Sequence, residues 1–234
     1  QLPHHTIELR WPELGTSRIA IGRGLLSRLG AELARMELGP RVMLLMAERL
    51  VPLCLDQIAA ALEEADLKHE VIPVADGDAR KNLDQAARLI DRLALCGADR
   101  WTPLVTVGGG VTGDLAGFVA SIYMRGMPLV HVPTTLLAQV DASIGGKVGV
   151  NHPRAKNLIG SFHQPRLVVS DPCVLRTLPD RQIAGGMAEV VKTATLGSAD
   201  LFTHLEQALV EERPGRLADN APLLERCVSE CAAI

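Results

Sequence analysis

Long apolar runs are absent from this sequence. No run approaches the roughly 20 residues that a helix needs to cross a bilayer, and the opening segment, QLPHHTIELRWPEL, has neither the basic start nor the apolar core of a secretory signal. Positive charge is not in excess, because 24 Lys and Arg residues are balanced by 27 Asp and Glu residues. Proteins that bind nucleic acid usually carry a basic patch. We therefore expect a cytoplasmic protein without membrane or nucleic-acid partners, whose ligand is a small molecule.

Paired cysteines are absent too. The five cysteines are odd in number, spread along the chain and without a Cys-x-x-Cys motif, which predicts reduced thiols that are mostly packed in the interior. Cys227 and Cys231 lie four residues apart and would share one face of a helix, which favours a core position for both.

The usual start and stop signals are also missing. The chain begins with Gln1 rather than Met, and the helical pattern of APLLERCVSECAA is still running at Ile234 without a cap. We therefore expect this chain to be a piece of a longer protein.

Strand and helix patterns alternate over the first three quarters of the chain. Apolar segments predict strands at RVMLLM, VIPVAD, PLVTV, LVHV and LVVSDP, preceded by a short strand pair at HTIELRW and SRIAIG. Amphipathic helices are predicted through LDQIAAALEEA and through NLDQAARLIDRLALC, the second capped by Asp78. Continuously apolar strands joined by helices are typical of a mostly parallel sheet that is covered on both faces.

The strand patterns stop near residue 180, and IAGGMAEVVKTATL, ADLFTHLEQALVE and APLLERCVSECAA all have helical periodicity. We predict an α/β fold in two parts. A Rossmann-like, mostly parallel sheet domain spans residues 1–178, and the beginning of an all-helical domain spans residues 179–234.

A glycine-rich loop follows the predicted strand PLVTV. Gly108, Gly110 and Gly113 match G-x-G-x-x-G at a strand-to-helix junction, where backbone N–H groups and the helix dipole suit a pyrophosphate. The acidic residue that usually holds a ribose about 20 positions later is missing, since that region is MPLVHVP. A dinucleotide or phosphate loop outside the standard Rossmann arrangement is favoured, and a tight turn with close helix packing is the alternative.

Asp114 follows this loop and is predicted to lie in the first turn of the helix. A carboxylate there would interact favourably with the helix dipole. Because it would repel a phosphate unless it bonded a ribose or an amide instead, we prefer a role in cofactor binding.

A second polar segment lies between TTLLAQV and LVV. It is about 25 residues long, is predicted to lack regular structure, and contains Asp141, Lys147, Lys156 and Asn157. Lysines with an asparagine suit a phosphate or carboxylate ligand, because Lys supplies a point charge and Asn supplies directional donors. An isolated lysine is usually a solvated surface residue, so the clustering carries this prediction.

The helix predicted through GMAEVVKTA carries Glu189 and Lys192 on one face, three residues apart. A surface ion pair is the simplest interpretation. Because the flanking residues are nearly all apolar, we predict instead that the pair points into a partly enclosed space, where Glu189 could bind a metal and Lys192 an anionic or hydroxylated substrate.

Five segments together make the chain similar to one family. GGGVTGDLAGF, YMRG, VPTTLLAQVDASIGGKVGVN, KNLIGSFHQP and GMAEVVKTA closely resemble the 3-dehydroquinate synthase family, within the sugar phosphate cyclase superfamily. The resemblance is strongest over residues 103–196. Related cyclases that make inosose or valiolone products resemble the first loop but depart from the IGGK and KN segments.

The resemblance implies an enzyme of the shikimate pathway, a carbon–oxygen lyase and usually a homodimer. Its substrate is a phosphorylated sugar acid, 3-deoxy-arabino-heptulosonate 7-phosphate, and its products are 3-dehydroquinate and phosphate. Bound NAD oxidises one hydroxyl, phosphate is eliminated, the carbonyl is reduced again, and the opened ring closes by an aldol step. A divalent metal, zinc or cobalt, polarises the oxidised centre.

The resemblance also implies roles for individual residues. The NAD contacts carried over are Gly109, Gly110, Asp114, Thr134, Thr135, Thr177 and Leu178, with Asp78, Lys81, Lys147 and Lys156 beside them. The residues that would hold substrate are Asp141, Lys147, Lys156, Asn157 and Lys192. Arg125 would reach the phosphate across the dimer, and Glu189 would be a metal ligand.

The chain departs from the family pattern in three places. LLMAERL replaces a segment with a Thr-Asp pair that helps to hold the nucleotide, which predicts weaker binding on the adenosine side. Asp78 stands where the family usually has Glu. The two histidines that complete the metal site belong to helices after Ile234, and His204 is predicted to be an ordinary helix-surface residue. Since catalytic zinc typically has three protein ligands, a chain that ends here is expected to be inactive.

Two other functions remain open from the sequence. A glycerol-dehydrogenase-like, metal-dependent alcohol dehydrogenase shares a related fold and glycine loop but would release NADH. A non-catalytic nucleotide-binding homologue is the second alternative, and it is favoured by the MAERL departure.

Overall fold

The computed structural model describes residues 4–11, 15–211 and 216–234. Seven strands form one sheet in the order β1-β2-β9-β6-β5-β3-β4, and β7 and β8 form a separate antiparallel pair. The nine strands of these described residues are β1 His5–Trp11, β2 Gly15–Ile21, β3 Arg41–Ala47, β4 Lys68–Val74, β5 Leu104–Gly108, β6 Leu129–Pro133, β7 Lys147–His152, β8 Ala155–Phe162 and β9 Leu167–Ser170.

The large sheet is mostly parallel, as the sequence predicted. β1 pairs antiparallel with β2, and the other neighbouring strands pair parallel. β5, β6 and β9 are buried along their whole length, which is why their sequences are continuously apolar rather than alternating. The α/β fold class is confirmed.

Seven α-helices connect and follow the strands in the described part of the chain. They are α1 Leu29–Ala34, α2 Val51–Glu63, α3 Leu83–Leu95, α4 Gly110–Ile122, α5 Asp180–Gly197, α6 Ala199–Glu211 and α7 Ala221–Ala233. Helices α3 and α4 share a core with one face of the sheet, and α1 and α2 share a core with the other.

The last three helices follow one another without a strand, as predicted, and they pack on the sheet. Ile19 and Ile21 of β2 and Val168 of β9 belong to the same apolar core as residues of α5, α6 and α7. Leu178 and Ile183, on either side of the predicted boundary, are also part of this core. The division at residue 178 stays a prediction.

The cap of α3 corrects one prediction. Asn82, not Asp78, precedes the helix, and its Oδ1 accepts the backbone N–H of Gln85 at 2.9 Å. Asp78 lies one turn earlier, in a 3₁₀ turn over Asp78–Arg80. Because a cap must directly precede the first helical residues to reach their N–H groups, the intervening turn leaves this role to Asn82.

The segment expected to lack regular structure is instead a β-hairpin. β7 and β8 pair from Lys147↔Phe162 to His152↔Ala155, with an irregularity near the turn. β7 packs against α4 through buried residues, whereas most of β8 is exposed. An exposed strand needs no apolar alternation, so the usual strand pattern is weak here.

The predicted core cysteines are confirmed. Cys227 and Cys231 lie on α7 and are buried in the apolar core that this helix shares with the sheet. Burial raises the pKa of the Cys227 thiol to about 12 and that of Cys231 to about 11, so both thiols stay protonated at neutral pH. The described residues contain no helix that is long and apolar enough to cross a membrane.

One buried histidine in the sheet gives a testable pH dependence. His131 of β6 is 4% exposed, and burial lowers its pKa to about 4 from 6.5, with His163 adding to the effect. The unfolded chain therefore binds a proton between these values that the folded chain does not, so stability is lost as the pH falls from 6.5 to about 4.

His131→Gln is expected to remove the contribution of this histidine to the pH dependence of stability. The slope of the unfolding free energy against pH should become shallower in this window by up to about 1.4 kcal/mol per pH unit. Urea unfolding at a series of pH values measures it, and the curves of the two proteins should run parallel above pH 7. Equal slopes below pH 6 would contradict the assignment.

Candidate functional site

The parallel strands end together at one edge of the sheet. The terminal residues are Ala47 of β3, Val74 of β4, Gly108 of β5, Pro133 of β6 and Ser170 of β9. β4 lies on one side of β3, whereas β5 and β6 lie on the other side, so the strand order reverses between β3 and β5. Ligands of open α/β sheets bind outside the carboxyl ends of the strands at such a point.

The glycine loop lies at this point, between β5 and α4. A Cβ atom built on Gly109 would lie 3.0 Å from Cγ2 of Thr135, and one on Gly110 would lie 3.3 Å from Cβ of Ala142. Helix α4 has Gly109 at its N-cap and no capping side-chain hydrogen bond. Its first N–H groups are therefore available to an anion.

Two cavities flank the loop. The loop cavity, about 560 Å³, is lined by residues that include Arg49, Asp76, Gly109, Gly110 and Thr135. The helix cavity, about 420 Å³, lies between α2 and the turn before α5, and it is lined by Arg49, Leu53, Cys54, Gln57, Thr134, Thr135, Thr177 and Leu178, among others. Arg49 and Thr135 line both cavities. The structure thus brings together the glycine and threonine positions that the sequence suggested for a dinucleotide.

A buried lysine joins this loop to the hairpin. Lys81, 4% exposed, donates from Nζ to Oδ2 of Asp114 at 2.5 Å and to Oδ1 of Asn157 at 2.5 Å. Burial raises the pKa of the Asp114 carboxyl, and the Lys81 hydrogen bond opposes that rise. Asp114 is the fifth residue of α4 and lies beyond its first turn, which corrects the predicted position: its partner is a lysine and not the helix dipole.

Asn151 reinforces the same connection. Its Oδ1 accepts the backbone N–H of Asn157 at 2.9 Å, and its Nδ2 donates to the carbonyl of Asp78 at 3.1 Å. Its own N–H donates to the carbonyl of Lys81 at 2.8 Å. Asn157 has a positive φ of 54°, a conformation that Asn tolerates better than most residues. These contacts hold the hairpin against the turn after β4.

The two exposed lysines of the hairpin lie on different strands. Lys156 of β8 forms an ion pair of 2.8 Å with Asp78, and this hydrogen bond is the largest cause of the lowered pKa of the Asp78 carboxyl. Lys147 of β7 lines the hairpin cavity, about 430 Å³, with Asp114, Asn157, Ser161 and Phe162. Asp114 and Asn157 therefore belong both to the Lys81 cluster and to the wall of this cavity.

Glu189 and Lys192 lie on α5 and form an ion pair. Hydrogen bonding to Glu189 raises the pKa of Lys192, and Asp141 contributes a smaller electrostatic effect. Asp141 also contributes to the raised pKa of Asp114, so its charge is felt at both groups. The side chain of Lys192 is 59% exposed, so the enclosed position predicted for the pair is wrong for Lys192.

Asp141 itself is not in a structureless loop. It lies in a single π-helical turn over Ala138–Ala142, where one residue more per turn changes the direction of the following side chains. Such turns are frequent at functional sites.

Arg125 lies away from the two cavities beside the glycine loop. It follows α4 in a turn where Met124 and Arg125 have positive φ values of 50° and 66°. Its side chain is exposed. The role suggested for it, across a dimer, stays a prediction.

A metal site is not complete among the described residues. Within residues 4–11, 15–211 and 216–234, no three His, Cys, Asp or Glu side chains lie close enough to hold an ion together. Glu189 is a single carboxylate already paired with Lys192. His204 lies half-buried on α6.

Sequence reasoning missed two residues of the loop cavity. Arg49 and Asp76 both line it and form an ion pair, with Nε of Arg49 3.2 Å from Oδ2 of Asp76. Arg49 follows the end of β3 and Asp76 follows the end of β4, which are neighbouring parallel strands. The rule that such ends meet at one edge of the sheet could have predicted this pair.

Comparison by sequence points to the 3-dehydroquinate synthase family. The family model for the 3-dehydroquinate synthase N-terminal domain matches residues 71–185. A 3-dehydroquinate synthase of Pelotomaculum thermopropionicum is 47% identical over 203 residues, which is 86% of this chain and 55% of that protein. The chain belongs to the 3-dehydroquinate synthase family. The chain spans 53% to 62% of the length of such curated relatives.

Solved structures of two other synthases share the fold of this chain. A 2-epi-5-epi-valiolone synthase from Streptomyces hygroscopicus, described with NAD⁺ and Zn²⁺ bound, has a TM-score of 0.82 at 28% identity. The match covers 96% of this chain and 61% of the synthase chain. A 2-deoxy-scyllo-inosose synthase, described in complex with carbaglucose-6-phosphate, NAD⁺ and Co²⁺, has a TM-score of 0.84 at 26% identity and covers 98% and 60%.

Proposed function

We propose that the full-length protein is a 3-dehydroquinate synthase, which converts 3-deoxy-arabino-heptulosonate 7-phosphate to 3-dehydroquinate and phosphate. The observation that carries this proposal is the Lys81 cluster. In this cluster the ammonium group of Lys81 donates hydrogen bonds to both Asp114 and Asn157. Asp114 lies next to the glycine loop, and Asn157 lies in the hairpin that carries Lys147 and Lys156. A dinucleotide region and an anion region are thereby parts of one site.

The glycine loop fits NAD. Side chains at Gly109 and Gly110 would press closely against Thr135 and Ala142, and the N-terminus of α4 is open to a pyrophosphate. The helix cavity, with apolar Leu50, Leu53 and Leu178 on its walls, suits an adenine ring. Bound NAD supplies a reversible oxidation of one substrate hydroxyl.

The hairpin fits the phosphate and carboxylate of a sugar acid. Lys147 and Asn157 line one cavity, and the exposed Lys156 can exchange its Asp78 partner for a substrate anion. These cations also stabilise the charge that develops on the leaving phosphate as its C–O bond breaks. Asp141 can accept a hydrogen bond from a substrate hydroxyl, and Lys192 can donate one.

The described residues fit a catalytic metal only in part. We propose Glu189 as one carboxylate ligand of the metal. The two synthases of known structure are described with Zn²⁺ and with Co²⁺, so the ion proposed here is zinc or cobalt. A catalytic zinc site typically needs three protein ligands, and the described residues contain no such group. The proposal therefore assigns no step of the reaction to the metal.

A homodimer is part of the proposal. Arg125 lies on an exposed turn outside the cavities beside the glycine loop, so it could contribute to the neighbouring subunit's substrate phosphate. A cytoplasmic location is proposed as well, in keeping with a biosynthetic enzyme that uses NAD and phosphorylated intermediates.

The test is a direct assay of the full-length protein with the heptulosonate phosphate, NAD and zinc. Phosphate release with no net NADH is expected, because the hydride removed from the substrate is returned. Accumulating NADH would favour a dehydrogenase and contradict the proposal, and a full-length protein that does not bind NAD in calorimetry would favour a non-catalytic homologue.

Lys147→Met is expected to lower kcat/KM by about 100-fold, the equivalent of ~2.7 kcal/mol of transition-state stabilisation, because a cation of the anion region is lost. Lys68→Met, at an exposed lysine at the start of β4, is the matched control and should retain activity. Equal activity of the two variants would remove Lys147 from the site.

A further inference from the structure

We infer that Arg49 binds a phosphate group of the dinucleotide. This inference rests on the proposed function, because it takes the loop and helix cavities to be the nucleotide site. Arg49 is the only Lys, Arg or His among the described residues that line these two cavities, and it lines both of them.

The charges around Arg49 support this assignment. The helix cavity contains Asp171, whose carboxylate is already satisfied by the backbone N–H groups of Gly24, Leu26 and Cys173 at 2.9 to 3.1 Å. The loop cavity contains Asp76, which faces Arg49. A pyrophosphate at the start of α4 would otherwise meet only the partial charge of the helix, roughly half a unit.

The guanidinium is also placed to change partners. The side chain of Arg49 is 53% exposed, and its ion pair with Asp76 uses Nε at 3.2 Å. A guanidinium has further N–H groups on its Nη atoms, in a fork that matches two phosphate oxygens. Asp76 therefore orients Arg49 toward the cavities without using all of its donors.

Two phosphates of a dinucleotide could meet this side chain. The first is the pyrophosphate, because Gly109 and Gly110 line the same cavity as Arg49. The second is a ribose 2′-phosphate, because β3 ends at Ala47, which offers no carboxylate to a 2′-hydroxyl, and an arginine near this position suits a 2′-phosphate. The shared chemistry is a phosphate bound by a guanidinium, and NAD and NADP distinguish the two sources.

The experiment is calorimetric titration of the full-length protein with NAD and with NADP. Arg49→Met is expected to weaken the binding of at least one of the two nucleotides about tenfold, and Arg49→Lys should be intermediate because a point charge remains. Equal losses for NAD and NADP identify the pyrophosphate, and a loss confined to NADP or much larger for NADP identifies the 2′-phosphate. Arg10→Met is the control, since Arg10 makes an exposed ion pair with Glu8 on β1 and should leave both affinities unchanged.

A double variant distinguishes the loss of an Arg49–phosphate contact from repulsion by the unpaired Asp76 carboxylate. In Arg49→Met, the carboxylate of Asp76 is left unpaired and could repel the nucleotide. Arg49→Met combined with Asp76→Asn should therefore still bind weakly if Arg49 contacts phosphate. Recovery of the wild-type affinity in the double variant, or a change below twofold for both nucleotides in Arg49→Met, overturns the inference. If the wild-type protein binds neither nucleotide, the proposed function itself fails.

Discussion

Lys81→Met is expected to lower the free energy of unfolding by about 3 kcal/mol at pH 7. Lys81 is nearly fully buried, and the side chain of its partner Asp114 is 22% exposed. Removing the ammonium leaves this carboxylate and Oδ1 of Asn157 without their shared donor. Breaking a buried pair costs more than the pair contributes, because the remaining charge stays desolvated.

The loss should depend on pH in a definite direction. Burial already raises the pKa of Asp114, and Lys81 opposes this, so the pKa should rise further in the variant. A carboxyl with a raised folded-state pKa destabilises the fold once it ionises, and stability falls as the pH rises through that value. The difference between wild type and Lys81→Met should therefore be largest at neutral pH and shrink as the pH falls toward about 4.

Urea unfolding at several pH values measures this difference. Lys81→Met combined with Asp114→Asn should recover part of the stability at pH 7, because the uncompensated charge is removed. Lys68→Met serves as a control, since Lys68 is exposed. A difference that is independent of pH, with no recovery in the double variant, would mean that the loss comes from packing alone.

Gly117→Ala is expected to cost about 3 kcal/mol, at the upper end of what overpacking usually costs. Gly117 lies on α4, and a Cβ atom there would lie 2.2 Å from Cγ1 and 2.9 Å from Cβ of Val148 on β7. Both atoms belong to a β-branched side chain that has little rotamer freedom. The helix and the hairpin would have to separate, which would also disturb the contacts of Asn157 with Lys81.

Thermal or urea unfolding tests this prediction. Val148→Ala should partly rescue Gly117→Ala, because it removes the atoms that clash. Gly185→Ala on α5 is the matched control: a Cβ atom there meets nothing within 4 Å, so stability should be unchanged or slightly higher, as Ala favours a helix over Gly. A Gly117→Ala protein as stable as the control would show that α4 and β7 are not as closely packed as the distances indicate.

The strands of the sheet and the helices between them were predictable because the pattern of buried residues appears within each short segment of sequence. RVMLLM and PLVTV are continuously apolar where β3 and β5 are covered on both faces. The β7–β8 hairpin was missed because most of β8 is exposed and its sequence has no strand-like alternation. The capping role of Asn82 was missed because an intervening 3₁₀ turn displaced Asp78 from the helix start.

The candidate site divides in the same way. Gly109, Gly110 and Asp114 lie within six residues of one another, so their spacing could be read directly. Lys81, by contrast, is 33 residues from its partner Asp114 and 76 residues from its partner Asn157. No local pattern encodes such a contact. Arg49 and Asp76 are likewise brought together by two neighbouring strand ends.

The alternating α/β elements, the glycine loop and the core position of Cys227 and Cys231 can be predicted from sequence alone, as can the residue types that suit an anionic ligand and a dinucleotide. These properties depend on spacing along a single strand, helix or loop. Which charged groups share a partner depends on the folded chain: the buried ammonium of Lys81 joins the helix after the glycine loop to the hairpin. A buried charge needs partners, and the partners of Lys81 come from segments that meet only in the folded chain.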